Sequence, residues 1–263
     1  MKRFALLVAS SVALLAPVAA HAQRVSPLAD APAIRKRVEL RESRFEGGVG
    51  FGTTLGQDYY HSMFLNLKLD YHLNDWLSVG FVGGLGVANV ETGYAHQLVD
   101  SLHPQQGPAT REPTQAAALA TMQKIKDMGA VQLEFTPFTG KFGMFGRVFA
   151  HYDFYAAGGF GFLVVAPTDS SMAAACSSSG NAPSCTTSGL VPGGTVSLGM
   201  HAFIKEWLAL DFELRDILAK INPSGRDVNG DNVATTADRN WASTYLFAAN
   251  LVVYLPSTAV ISK

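Results

Sequence analysis

The stretch SMFLNLKLDYHL, residues 62–73, decides the fold class because its side chains alternate strictly between two faces. One face carries Met63, Leu65, Leu67, Leu69, Tyr71 and Leu73, and the other carries Ser62, Phe64, Asn66, Lys68, Asp70 and His72. A period of two is typical of a β-strand, whereas an amphipathic helix repeats about every 3.6 residues. The run also exceeds the roughly five or six residues of an ordinary globular strand. It predicts a long strand with one apolar face.

Seven further segments show the same alternation, which gives eight predicted strands. Their apolar positions fall within residues 45–51, 77–87, 131–135, 152–164, 196–204, 208–214 and 245–255. Three short links join neighbouring segments, at Asn74–Asp75, at residues 137–143 (PFTGKFG) and at Lys205–Glu206. They alternate with links at residues 54–58, 90–129, 166–193 and 218–240. An even number of strands joined by alternating short turns and longer loops is typical of an outer-membrane barrel.

We therefore predict an all-β protein, an eight-stranded antiparallel up-and-down transmembrane β-barrel over residues 44–255 with long extracellular loops. Both termini are then periplasmic, and residues 256–263 form a C-terminal tail. A soluble β-sandwich or lipocalin-like barrel is the alternative, but it would keep its apolar face inside. Long strands, a face rich in Leu and Phe, and Trp or Tyr at strand ends favour the membrane. No apolar run after the N-terminus is long enough for a membrane helix, so a spanning chain must be a barrel.

The first 22 residues have the pattern of a cleaved secretory signal peptide. Lys2 and Arg3 precede the apolar stretch FALLVASSVALLAPVA, and residues 20–22 form an Ala-His-Ala cleavage site. The stretch is short for the alternative, a membrane anchor. Removing it takes away two bases and no acids, so the net charge of −1 becomes −3. We expect export to the outer membrane of a Gram-negative cell, a periplasmic arm at residues 23–43, and no nucleic-acid partner.

Two cysteines, Cys176 and Cys185, lie in the polar, turn-rich segment ACSSSGNAPSC. In an exported protein, two cysteines this close favour a disulfide that closes a short loop. A metal or redox pair is the alternative, but the segment lacks other ligands and a C-x-x-C spacing.

The polar face of the predicted strands carries charges of both signs: Lys68, Asp70, Glu134, Asp153, Asp211, Glu213 and Arg215. An eight-stranded barrel is just wide enough inside for side chains to fill it. Buried charges must pair, because an isolated buried ion is costly. We predict an internal network in which Lys68 and Arg215 are the counter-ions; a narrow polar channel or a small-ligand pocket is the alternative.

Candidate catalytic residues are sparse. His61 and Ser62 lie at the outer end of the second strand, and His151 and Asp153 share an inward face. The chain has no nucleophile elbow, no paired catalytic carboxylates and no HExxH spacing. We predict that the protein is not an enzyme, with a membrane-embedded enzyme as a less favoured alternative.

Two of the long loops carry local signals. The segment TQAAALATMQKIKDMG, residues 114–129, predicts a short helix that starts near Thr114. The segment DVNGDNVATTAD, residues 227–238, resembles the calcium loop of EF-hands and of dockerin repeats. Its candidate oxygen ligands are Asp227, Asn229, Asp231, Val233 through its carbonyl, Thr235 through water, and Asp238. Asn232 stands where the usual glycine is expected, so an acidic surface loop is the alternative. No other cofactor is indicated.

Two similar phrases, YHLNDWLSVGF at residues 71–81 and FIKEWLALDF at residues 203–212, each place a Trp directly after a tight polar turn. Trp76 and Trp207 are the predicted interface anchors, because amphipathic rings favour the depth of the lipid headgroups. Outer-membrane lipid is therefore the first expected partner.

The stretches IRKRVELRESRFEGGVGFGTTLGQDYY, residues 34–60, and VQLEFTPFTGKFGMFGRVFAHYDFYAAGGFGFLVV, residues 131–165, resemble the outer-membrane β-barrel domain family found mostly in myxobacteria and their relatives. The resemblance spans about residues 34–254 and implies a small closed barrel without implying a reaction. Some relatives serve in trans-envelope machines for gliding motility. The expected role is a monomeric structural or interaction module with periplasmic or surface protein partners, and the resemblance implies a motility or adhesion assembly as its setting.

Overall fold

The computed structural model describes residues 38–39, 41–103, 114–144, 148–169, 188–231, 234–258 and 260–261; side chains are described except at 38–39, 141–144, 148–150 and 260–261. The predicted signal peptide, most of the predicted arm and both cysteines lie outside the described residues. The disulfide therefore stays a prediction.

The described chain forms ten strands and two α-helices. In chain order these are β1 (Val38–Glu39), β2 (Phe45–Leu55), β3 (Tyr60–His72), β4 (Leu77–Glu91), α1 (Gly93–Ser101), α2 (Gln115–Thr121), β5 (Gln123–Met144), β6 (Val148–Pro167), β7 (Gly189–Lys205), β8 (Leu208–Ile221), β9 (Asn240–Leu255) and β10 (Val260–Ile261). Strands β2 to β9 form a closed barrel in chain order, and every neighbouring pair is antiparallel. The predicted eight-stranded antiparallel barrel is confirmed.

The polarity of the wall is inverted relative to a water-soluble barrel. On β3, Asn66, Lys68 and Asp70 are buried inside the barrel, whereas Leu65, Leu67 and Leu69 face outward and are 42–49% exposed. Strand β8 repeats the pattern with alternate buried and exposed positions. The period of two in the sequence therefore separates a polar lumen from an apolar outer surface.

The lumen is layered along the barrel axis. Near the loop end it holds a buried apolar cluster: Phe64, Val82, Ile125, Met128, Leu163, Val165, Val191, Ile217, Ala219, Ile221 and Leu246. Near the turn end a smaller cluster contains Phe203, Ala209, Val252 and Tyr254. Charged residues fill the space between them. The charged layer is thus enclosed by packed side chains above and below.

The hairpin of β5 and β6 differs from the sequence-based expectation of a turn at residues 137–143. Pairing continues from Phe138 and Phe154 to Met144 and Val148, after an irregularity between Phe135 and Phe138. Pro137 lies within that irregularity. A residue without an N–H group is tolerated there because the irregularity locally disrupts the hydrogen-bond ladder. Strand β4 pairs with β5 only as far as Phe135. The hairpin therefore extends past the other turns at this end.

The helix predicted from Thr114 begins where expected but ends early. The Thr114 hydroxyl caps α2 by accepting the backbone N–H of Ala117, yet the helix stops at Thr121 and residues 124–128 belong to β5. Strand pairing with β6 overrides helix propensity there. Helix α1 was not predicted; it packs Ala95 and Val99 near Tyr60 and Met122 at the loop end. Among the described residues, neither helix has the length and hydropathy needed to cross a membrane.

Candidate functional site

The centre of the charged lumen is the ammonium group of Lys68. Its Nζ lies 3.2 Å from Oε1 of Glu46, 3.2 Å from Oε2 of Glu134 and 3.7 Å from Oδ2 of Asp211. It also lies 4.3 Å from the ring centroid of Tyr155. These residues come from five strands, and each points inward because of the strand alternation. Closure of the barrel brings them together from distant parts of the sequence.

His201 links this centre to a second group of acids. Its Nδ1 lies 2.8 Å from Oδ1 of Asp153, and its Nε2 lies 3.3 Å from both Oε1 of Glu46 and Nζ of Lys68. The other carboxylate oxygen of Glu46 lies 2.8 Å from Nε2 of His72. The imidazole of His201 is therefore held between acids, and that of His72 has one acid partner, so both buried polar rings are hydrogen-bonded.

Tyr155 packs between His201 and the acids of β8. Its ring stacks on that of His201 with centroids 4.8 Å apart, and its hydroxyl oxygen lies 2.7 Å from Asp211 Oδ1 and 3.0 Å from Glu213 Oε2. The ring crosses Gly199 on the neighbouring strand, where a Cβ atom would lie 2.1 Å from the ring Cζ. The missing side chain at Gly199 thus makes room for Tyr155.

Arg215 forms a separate group on the loop side of the network. Its guanidinium lies 2.6 Å from Oε1 of Glu213 and donates to Gln132 Oε1 at 2.6 Å and Thr195 Oγ1 at 3.0 Å. An enclosed cavity of about 10 Å³ beside Lys68 and Arg215 has room for about one water molecule. The lumen is therefore packed at this level.

Two arginines close the turn end. Arg41 donates to Thr136 Oγ1 at 2.6 Å, and its guanidinium lies 3.5 Å from Asp153 and 3.8 Å from Glu134. Its backbone N–H donates to Asp75 Oδ1 at 3.0 Å. Arg44 donates to the carbonyl oxygens of Pro256 and Glu206, each at 2.8 Å. Arg41, near the end of the predicted arm, therefore reaches into the lumen.

The structure sorts the residues of the predicted network. Lys68 contacts Glu134 and Asp211, and Arg215 contacts Glu213, whereas Asp153 contacts Arg41 and His201. The carboxylate of Asp70 forms neither an ion pair nor a hydrogen bond with any described residue. The sequence reasoning did not single out Glu46, His72, His201 or Arg41 as members. Glu46, His72 and His201 lie at inward positions of their strands, so the alternation that identified the other members could have identified them too. Arg41 lies before β2, where the alternation does not apply.

Glu46, Glu134 and His201 have potential metal-ligand atoms within 4.8 Å of one another. Within the described part of the chain, they form the candidate group for a metal site. The Lys68 ammonium lies within 3.3 Å of an atom of each of them. It occupies the position that a metal ion would need.

The candidate calcium loop directs several of its oxygens to its own backbone. The buried carboxylate of Asp238 accepts N–H groups from Val228 at 2.8 Å, Asn229 at 3.0 Å and Thr235 at 2.6 Å. These backbone donors hold the pKa of Asp238 below its usual range. Asp227 Oδ1 accepts the N–H of Gly230 at 2.7 Å. Val233 lies outside the described residues, and calcium binding stays a prediction.

The residues considered for catalysis are not brought together. His61 Nδ1 lies 3.1 Å from the carbonyl oxygen of Thr54, and the Ser62 hydroxyl donates to Asn89 Oδ1 at 2.8 Å near the loop end. Asp153 lies near the turn end with His201 and Arg41. Ser62 and Asp153 therefore belong to different ends of the barrel.

The two predicted anchors, Trp76 and Trp207, follow short turns at the same end and are 52% and 37% exposed. In the first turn, Asn74 Oδ1 accepts the backbone N–H groups of Trp76 and Leu77. A third tryptophan, Trp241, lies at the opposite end, 63% exposed, with Lys220 Nζ 5.3 Å from its ring centroid. The sequence reasoning did not use Trp241, although it begins a strand after a long loop.

No family model matches the chain, and no curated protein matches it. Two solved structures from Pseudomonas aeruginosa are similar to it. The N-terminal β-barrel domain of OprF is 8% identical with a TM-score of 0.42, over 81% of this chain and 98% of that one. The outer membrane protein OprG is 12% identical with a TM-score of 0.42, over 83% and 99%. The assignment of the barrel rests on its own strand pairing.

Proposed function

We propose that the protein is an outer-membrane β-barrel that acts as a structural and interaction module of the cell envelope. The observation that carries this proposal is the inverted polarity of the wall. Large apolar side chains face outward on every barrel strand, with exposures that reach 70% at Phe51, 84% at Phe160 and 65% at Leu198. A continuous apolar surface of this size is unfavourable in water and favourable against lipid.

The aromatic residues at both ends support the same placement. Trp76 and Trp207 mark the turn end and Trp241 marks the loop end, as aromatic girdles do in outer-membrane barrels. At about 3.3 Å per residue and a tilt of about 40°, the 14 residues of β8 rise roughly 35 Å. That is enough to cross the apolar band of about 25 Å.

A channel is less well supported, because the lumen is filled with side chains. The apolar cluster around Phe64 and Leu246 lies on the loop side of the charged layer. An ion crossing the barrel would have to displace both layers. We therefore infer that the lumen serves stability and that outside surfaces carry the function.

An interaction role is supported at the turn end. The hairpin of β5 and β6 continues past the other turns to Met144 and Val148. Strand β1 pairs with β10 at Val38–Ile261 and Glu39–Val260, which joins the two ends of the described chain. These elements offer surface beyond the wall for a periplasmic partner. The sequence resemblance to the myxobacterial-type barrel family makes a trans-envelope motility or adhesion assembly the proposed setting, with the barrel as a monomer.

Two experiments test this proposal. Membrane fractionation should recover the mature protein in the outer membrane, and an unheated sample should run as a compact band on a denaturing gel that shifts after heating. Recovery of folded protein in the soluble periplasmic fraction without detergent would overturn the membrane assignment. Pull-down from envelope membranes should then retain partners that are lost when the tip of the β5–β6 hairpin, residues 142–150, is replaced by a short turn that leaves Asp153 in place. Conductance steps in planar bilayers would instead support a channel.

A further inference from the structure

Among the described residues of the lumen, the buried carboxylates outnumber the cationic groups that contact them. Six carboxylates are buried: Glu46, Asp70, Glu134, Asp153, Asp211 and Glu213. Arg41, Lys68 and Arg215 are the permanent cations in contact with them, joined by the imidazoles of His72 and His201. Arg44 lies at the turn end, where it donates to backbone carbonyls. Even with both imidazoles charged, this network keeps one negative charge in excess.

The excess falls on Asp70. Each of the other five carboxylates lies within 4.0 Å of a cationic nitrogen or an imidazole nitrogen. Asp70 is 3% exposed, both of its oxygens are buried, and neither has a hydrogen-bond partner among the described residues. It reaches this position because it crosses Gly80, where a Cβ atom would lie 1.8 Å from Oδ1. A buried carboxylate without partners is costly as an anion.

The groups that face Asp70 make the anion still less favourable. Glu46 on β2, Glu134 on β5 and Glu213 on β8 bring negative charge toward it, while Lys68 on its own strand brings the positive charge. The Lys68 ammonium is already shared among three other carboxylates. His72, also on β3, is paired with Glu46.

Hydrogen-bonding groups near Asp70 are left open as well. Gly80 pairs across the sheet with both Asp70 and Gln132, so Gln132 is the next inward residue beyond the glycine. The Nε2 group of Gln132 and the hydroxyl of Ser78 are buried without hydrogen-bond partners among the described residues. The site thus combines an unpaired acid with neighbouring polar groups.

We propose that Asp70 is a binding site for one monovalent cation, and that the cation is a proton. A proton and a sodium ion would each supply the single positive charge that neutralises the network when both imidazoles are charged. A proton adds no volume and turns the carboxylate into a hydroxyl donor with a carbonyl acceptor. A sodium ion would need several oxygen ligands around it, and Asp70 is packed directly against the Gly80 backbone.

The direct test is infrared difference spectroscopy on the full mature chain in lipid vesicles. Wild type at neutral pH should show the carbonyl band of a protonated carboxyl group, shifted in D₂O, and Asp70→Asn should lack it. Glu206→Gln is the control, because it removes an exposed carboxylate at the β7–β8 turn, outside the lumen network, and should leave the band in place. If Asp70→Asn does not fold, carbon-13 labelling of the aspartate side-chain carboxyls in wild type should shift the band, because the other buried lumen aspartates, Asp153 and Asp211, are ion-paired; a band that does not shift would belong to a glutamate and would overturn the proposal.

A second measurement separates the two cations. If the cation is a proton, the folded chain holds one more proton than the unfolded chain wherever the unfolded aspartate is ionised. The stability of wild type should therefore fall as pH rises through that range, and Asp70→Asn should lack this dependence. For sodium, the band is missing and the melting temperature rises when sodium replaces choline at constant ionic strength, in wild type but not in Asp70→Asn. That result would overturn the proton and keep the cation site. No band and no sodium dependence would overturn the site altogether. These readouts concern the lumen, so they are independent of where the barrel resides in the cell.

Discussion

The Nζ atom of Lys68 lies 3.2 Å from Oε2 of Glu134 and 3.2 Å from Oε1 of Glu46, so one ammonium group holds carboxylates from two strands. Lys68→Met keeps the length of the side chain but leaves those carboxylates without their shared cation. Removing one partner of a buried ion pair costs about 3–5 kcal/mol. We expect a loss of that size in the free energy of unfolding, measured by urea titration in lipid vesicles. Lys205→Met is the control, since Lys205 is exposed and its ammonium group lies 5.5 Å from the centroid of the exposed Trp207 ring, outside the lumen. Equal losses in both variants would contradict the role of the network.

The close contact between Tyr155 and Gly199 makes a steric prediction. In Gly199→Ala, the new Cβ would lie 2.1 Å from the Tyr155 ring, so the ring must leave its position between His201 and Asp211. Overpacking of this kind costs about 1–3 kcal/mol. On the same strand, Gly194→Ala meets no atom within 4 Å and should be nearly neutral. In a Tyr155→Ala background the cost of Gly199→Ala should disappear; a cost that persists there would show that the ring is not its cause.

The amount that sequence could predict depends on how local each feature is. The alternation at residues 62–73 is local, and so the strand, its parity and the closed barrel followed from it. The sequence reasoning named Lys68 and Arg215 as counter-ions because they were the basic residues on the inward faces. The partners of Asp153 are instead Arg41 and His201, which reach it only through barrel closure. The sequence reasoning placed a turn at residues 137–143 because Pro and Gly are typical of turns. There the ladder with β6 continues through an irregularity, which only the pairing partner determines.

The outward face makes a prediction about lipid. Leu198 is 65% exposed on the apolar surface of β7, and an arginine near the bilayer midplane costs about 2–4 kcal/mol in a membrane barrel. Leu198→Arg should therefore lower the free energy of unfolding of the barrel in vesicles by that amount. Val228→Arg, at a 56% exposed loop position, is the matched control and should change it by less than about 0.5 kcal/mol. A water-soluble barrel would tolerate both substitutions equally well.

Calcium is expected to stabilise the loop at residues 227–238 if its side-chain oxygens turn to the ion. Asp227 and Asn229 would release backbone N–H groups of the loop, and Asp231 would release the side-chain amide of Asn229. Millimolar calcium should then raise the melting temperature, and Asp227→Ala should abolish the rise. Asp100→Ala, at an exposed acid in α1, should leave the rise unchanged. An unchanged melting temperature in wild type would remove calcium from this loop and leave the hydrogen bonds of Asp238 as its organising feature.

Those hydrogen bonds make the loop sensitive to acid. The backbone N–H groups of Thr235, Val228 and Asn229 lower the pKa of Asp238 in the folded protein. A carboxyl group with a lowered folded-state pKa contributes stability that is fully present above about pH 4 and is lost as pH falls through the folded value. Protection factors of the Val228 and Asn229 amides should therefore fall in that acidic range, because a protonated carboxyl accepts their hydrogen bonds less well. Asp238→Asn should show reduced protection already at neutral pH and little further change on acidification, whereas Asp100→Asn should follow wild type. Equal acid profiles in wild type and Asp238→Asn would mean that another group controls the loop.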